Sequence, residues 1–190
     1  MRYRPTPSPW LCAATLAVAL AGAGPAAAVV WTVDAGGDAM FTTIQEAILV
    51  AGDGDIVQVA AGTYGEALDF CGRNVTVLGA DGAEVTVIDP PDGVPAVSFV
   101  HGEGPAARLS GFTITGADTH AAKENPGAGI HVVGSCPTLT DLIIEGNHGY
   151  FGGAIKLKYG SHALIERVVM RDNVADGCGG GIYICESDPT

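Results

Sequence analysis

Gly127-Ala128-Gly129-Ile130-His131-Val132, Gly152-Gly153-Ala154-Ile155-Lys156-Leu157 and Gly179-Gly180-Gly181-Ile182-Tyr183-Ile184 are three versions of one hexapeptide. Their isoleucines recur every 25 to 27 residues. A second register lies between them: Leu139 to Asn147 aligns with Ile165 to Asn173, and Leu109 to Gly116 is a looser copy. Each period holds short runs of alternating apolar residues, separated by Gly, Asn, Asp and Pro. Alternation at period two reads as strand and the separators read as turns. No intervening segment has the helical periodicity of a crossover helix, which excludes βαβ folding. A unit this small cannot bury its own apolar face and must stack on the next, as in a solenoid. The reading is an all-β parallel β-helix; a β-sandwich would not require the near-identical glycine-isoleucine starts.

Alternate strand residues share a face. Ile130 with Val132, Ile155 with Leu157 and Ile182 with Ile184 are therefore expected inside the stack. His131, Lys156 and Tyr183 are expected outside on successive coils, preceded by Ser98 between Val97 and Phe99. Asn147 and Asn173 occupy equivalent turns, either as an amide ladder along the stack or as left-handed turn residues. The front of the domain differs. Phe41 to Ala51 has one apolar side (Ile44, Ala47, Ile48, Ala51), a Thr43/Glu46 capping box and Gly52 at its end, so a short helix is expected there. Such an element suits the end of a solenoid, where the first core layer needs a cover.

Glycine is over-represented, at 28 residues of 190, while charged residues make up only 16%. That balance excludes disorder through excess charge. A net charge of −12, with nine Lys plus Arg, argues against a nucleic-acid partner. Arg2 and Arg4, the apolar run Trp10 to Ala21 and the small residues ending at Ala28 follow the order of a cleaved secretory signal. Residues 1–28 are expected to be this leader and residues 29–190 the β-helix domain. The apolar run is shorter than the ~20 residues of a membrane span, so no transmembrane segment is expected in the mature chain. Cys71, Cys136, Cys178 and Cys185 remain, an even number that permits two disulfides or isolated buried thiols, with no pairing assigned. The final hexapeptide opens a coil that residues 186–190 do not complete. A fragment is therefore expected, self-associating through an open C-terminal coil.

These residues carry a resemblance. Phe41-Thr-Thr-Ile-Gln-Glu-Ala47, Gly54-Asp55-Ile-Val57, Ala61-Gly62-Thr63-Tyr64, Glu66, Val75 to Gly79 and Thr86 to Ile88 resemble the N-terminal part of pectinesterases and other right-handed parallel β-helix proteins of the pectin-lyase-like superfamily. The Gly152 to Ile155 run, with Met170-Arg-Asp-Asn173, is similar to the repeats of polymorphic outer-membrane proteins. The pectinesterase resemblance implies a glutamine beside an apolar strand near Ala128 and a following Gln-Asp pair. This chain reads Ala128-Gly-Ile-His-Val-Val133 and Glu145-Gly-Asn-His-Gly149, so ester hydrolysis by that mechanism is not expected.

Polysaccharide lyases of the same superfamily imply clustered carboxylates on calcium and a basic Arg or Lys. Asp141, Glu145, Glu166 and Asp172 are the calcium candidates, and Arg167 or Lys158 the cation. Asp141 and Arg167, one coil apart and off by a position, are the catalytic candidates. Calcium is expected only for a lyase; otherwise no cofactor is. The outward Ser98, His131, Lys156 and Tyr183 suit an acidic or ring-stacked sugar. Two readings result. The first is a secreted or cell-envelope β-helix module, non-catalytic, structural or binding a polysaccharide or cell-surface glycan. The alternative is a pectate-lyase-like enzyme whose catalytic coils are missing.

Overall fold

The computed structural model describes residues 27–122 and 126–186. The expected leader lies outside them except for its last two residues. Every strand pairing is parallel. The chain climbs through about six coils, a parallel β-helix with one short helix. One sheet runs through Val30–Val33, Ile56–Val59, Thr76–Gly79 and Arg108–Ser110 into the first half of Thr138–Glu145. A second runs through Gly62–Tyr64, Thr86–Ile88 and Thr113–Ile114 into the second half of that long strand. Leu164–Arg171 pairs with both halves. The third sheet stacks Leu68–Asp69, Val97–Phe99, Ile130–Val133, Ile155–Lys158 and Ile182–Cys185.

The expected register is realised residue by residue: Ile130 faces Ile155, and Ile155 faces Ile182. Ile130, Val132, Ile155 and Leu157 are fully buried, whereas Ile182 and Ile184 in the last described coil are 39% and 47% exposed. The first two sheets join at a bend. There Gly111, Asp141 and Arg167 stack with φ of 80°, 55° and 52°. A Cβ on Gly111 would meet the Gly79 carbonyl oxygen at 2.5 Å, so this position is closed to side chains on that coil.

The other corner is an asparagine ladder. The Asn147 amide donates to Asn173 Oδ1 at 3.0 Å and to the Ile114 carbonyl at 3.0 Å, and its oxygen accepts from the Ala117 N–H at 3.1 Å. Asn173 repeats the pattern by donating to the Ile144 carbonyl. The left-handed residues are the ones just before, Gly146 and Asp172. Of the two readings left open for these asparagines, the ladder holds.

The helix is shorter than its apolar pattern, Ile44–Val50, with the Thr43 hydroxyl accepting from the Glu46 N–H. Its start is set from outside: the Glu66 carboxylate accepts from the Ile44 and Gln45 N–H groups at 2.7 and 2.9 Å. Ile44, Ala47 and Ile48 are fully buried against the first coil. Gly52 follows the helix end, as expected, without a left-handed conformation. Asp55 instead receives its N–H, together with those of Val29 and the Trp31 indole. Cys71 and Cys178 are free thiols, both exposed.

Candidate functional site

The expected carboxylate and arginine positions form a bonded surface. Asp141 and Arg167 stand in register, one coil apart, where a one-residue offset was expected. Arg167 donates from Nε and Nη2 to the two carboxylate oxygens of Asp141, at 2.6 and 2.9 Å. Four residues on, Arg171 Nε donates to Glu145 Oε2, and Glu166 lies 3.4 Å from Arg167. The Arg167 hydrogen bonds hold the Asp141 carboxyl below the usual range, and Asp141 in turn raises the Arg167 guanidinium. An arginine serving as a base must be induced to lose its proton, and this pairing acts in the opposite sense. Asp172 is a left-handed turn residue. Among the described residues Asp141, Glu145, Glu166 and Asp172 do not gather three ligand atoms at one point.

The other expected column is assembled in register: Ser98, His131, Lys156 and Tyr183 are successive partners on the third sheet. They are not uniformly outward in the sense expected. Lys156 is only 2% exposed. The neighbouring coil edges press against it: a Cβ on Gly127 or Gly152 would approach the Lys156 Cβ to 2.6 or 2.9 Å. Alternation assigns the side of the strand correctly but says nothing of what lies over that side. The Gly127 N–H donates to His131 Nδ1 at 3.2 Å, which places the proton of the neutral ring on Nε2. Burial, followed by the nearby lysines, lowers the His131 pKa to about 4. Burial and Lys158 also lower the Lys156 ammonium.

Around Lys156 the surface is aromatic. Its Nζ lies 5.3 Å from the centroid of Phe151 and 5.8 Å from that of Tyr183, and these two rings stack at 4.8 Å. Lys158 Nζ lies 4.6 Å from the ring of Tyr159, whose side is open to solvent at 57%. Phe151, Lys156, Lys158, Tyr159 and Tyr183 line a groove of about 270 Å³. A larger groove of about 690 Å³ adjoins it, sharing Tyr159 and Glu186 and running past His101 and Gly134. Its floor is fixed by Glu103, 1% exposed, which accepts from the Gly72 and His101 N–H groups and the Ser135 hydroxyl. His101 is itself 3.2 Å from Asp69.

The joined grooves run along the stack across successive corners of the third sheet. Phe151, Tyr159 and His101 were not singled out from the sequence. Tyr159 was detectable: it follows its strand where Gly134 and Glu186 follow theirs, each with positive φ. Phe151 comes from the short additional strand His148–Phe151, which the hexapeptide repeat does not register.

No protein-family model matches the chain, and no curated protein matches its sequence. Among solved structures it is similar to pectin methylesterase from carrot, with a TM-score of 0.54 over 80% of this chain at 17% identity. The aligned coils span 56% of the carrot enzyme. A likeness at that identity speaks for architecture. The chain shares the parallel β-helix fold of that structure.

Proposed function

We propose that this chain is a secreted, non-catalytic β-helix module that binds an acidic polysaccharide along the grooves from His101 to Tyr183. One observation carries the reading: two of the chain's three lysines, Lys156 and Lys158, lie with three aromatic rings in one groove of a protein whose net charge is −12. A local cation within an acidic surface attracts an anion to that place and away from others. The rings add apolar faces on which the C–H face of a sugar can rest. Lys158, at the solvent edge beside the exposed Tyr159, is the direct contact to a uronate carboxylate. Lys156, beneath Phe151 and Tyr183, supports the field and holds the rings. A long groove crossing several coils suits a polymer better than a monosaccharide.

Titration calorimetry with oligogalacturonate tests this. Binding is expected that weakens as salt rises and disappears when the uronates are reduced to neutral galactose units. Equal binding of the charged and neutral oligomers, or none of either, contradicts the proposal. The same samples report on lyase chemistry: calcium-dependent unsaturated product requiring Asp141 would favour an enzyme instead.

A further inference from the structure

Two histidines and two aspartates meet at a separate corner of the coils. Asp118 and His120 follow the short strand Thr113–Ile114, His148 opens the strand one coil further, and Asp176 lies on Val174–Cys178 beyond that. Their backbones are pinned. Asp118 and His148 form a parallel bridge, the Thr119 N–H donates to the His148 carbonyl at 2.8 Å, and the Asp118 carbonyl accepts from Gly93 at 2.7 Å. Ligand atoms of Asp118, His120 and His148 all lie within 4.8 Å of one another.

We propose that Asp118, His120 and His148 bind a divalent transition-metal ion of the zinc class, with Asp176 orienting His148. The donor set decides the class: two imidazoles and one carboxylate suit zinc, cobalt, nickel or copper, whereas calcium and magnesium take oxygen donors. A second observation is the support behind His148. Its Nε2 lies 3.0 Å from Asp176 Oδ1, leaving Nδ1, 3.8 Å from Asp118 Oδ2, as the metal-facing nitrogen. A carboxylate behind a ligating histidine is the arrangement that fixes tautomer and ring orientation in metal sites. Asp176 reaches that position through an irregularity: the pairing of His148–Phe151 with Val174–Cys178 shifts register after Gly149 and Ala175, and a bulge of this kind re-aims a side chain.

The ring geometry also tells which ligand moves. His120 and His148 stack with centroids 4.5 Å apart and planes 8° from parallel. Parallel rings share no plane, so one must turn for both lone pairs to reach one ion. His148 is held by Asp176. His120 is 44% exposed, and among the described residues its Nδ1 bonds Asp118, at 2.5 Å. His120 therefore turns, and the ion takes the place of the proton it shares with Asp118. Asp92 lines the same hollow, of about 320 Å³, and adds negative charge facing the ion. The site joins Asp118 to His148 across adjacent coils, so an ion there staples the stack.

The test titrates the purified chain with Zn²⁺ alone, following heat and thermal unfolding, and repeats it with Co²⁺ for visible d–d bands. One equivalent is expected to bind and to raise Tm. His148→Ala and His120→Ala should abolish binding, and Asp176→Asn should weaken it 10- to 100-fold. His120→Ala alters a half-exposed side chain and remains informative if His148→Ala does not fold. His162→Ala should bind as the parent does. Undiminished binding in His120→Ala, an affinity unchanged by Asp176→Asn, or no binding by the parent chain overturns the proposal.

Discussion

Two outer faces of the coils each carry a pair of cations on a single strand and use them differently. On one, Arg167 and Arg171 each donate to a carboxylate one coil away, Asp141 and Glu145. On the other, Lys156 and Lys158 lie against Phe151, Tyr183 and Tyr159. The planar fork of arginine matches a carboxylate bidentately, as Arg167 does Asp141, and each charge in such a pair is answered by its partner. A lysine over a ring keeps a compact charge whose field still reaches solvent. Cations on a repeat surface are therefore not equivalent: Arg167 and Arg171 tie neighbouring coils together through acids, whereas Lys156 and Lys158 are set among the rings of the proposed site.

The change expected to erase the difference altogether is Ile155→Asp. Ile155 lies in the core from which both faces are built, and an unpaired charge there removes the fold. Loss of the β-sheet circular dichroism signal is expected; stability like that of the parent would mean that the inward column is wrong. Asn147 follows the strand that carries Asp141 and Glu145 and precedes the strand carrying Phe151. Asn147→Ala leaves its buried partners unanswered and should cost about 3 kcal/mol in urea unfolding.

The next experiment separates the faces by pH. His131, on the lysine face, keeps its neutral form down to about 4 in the fold, against an ordinary value of 6.5. The unfolded chain takes up that proton first, so stability is lost as pH falls from 6.5 towards 4, by up to about 3 kcal/mol. His131→Asn should flatten this part of the pH profile; an unchanged profile would remove the burial argument. Arg167→Ala should be the mildest, with a urea midpoint close to that of the parent, because that pair is solvent-exposed and screened. A larger loss would show that the arginine face is more tightly coupled to the core than its exposure suggests.

Much of the fold was legible because it is periodic. Ile130, Ile155 and Ile182 announce their register through alternation and the glycines before them. Thr43 and the apolar helix face mark the cover at the first coil. What escaped was set by residues distant in sequence. Glu66 trims the helix start. The bend that aligns Asp141 with Arg167 depends on positive φ at two non-glycine residues, which sequence pattern does not signal. Ser98, His131, Lys156 and Tyr183 were legible as a column. The burial of Lys156 was not, because Gly127, Phe151 and Gly152 cover it from adjoining segments. The aromatic groove was half-visible: Lys156, Lys158 and Tyr183 were noted, whereas Phe151 sits on a strand outside the repeat.

The contrast between the faces is tested most directly by reversing one charge on each. Lys158→Glu and Arg167→Glu change the net charge equally, so nonspecific repulsion of a polyanion is matched. Oligogalacturonate binding by titration calorimetry at one salt concentration is expected to vanish in Lys158→Glu and to stay within about twofold of the parent in Arg167→Glu. Equal losses in the two variants would reduce binding to overall charge and contradict a site at the lysine–aromatic groove.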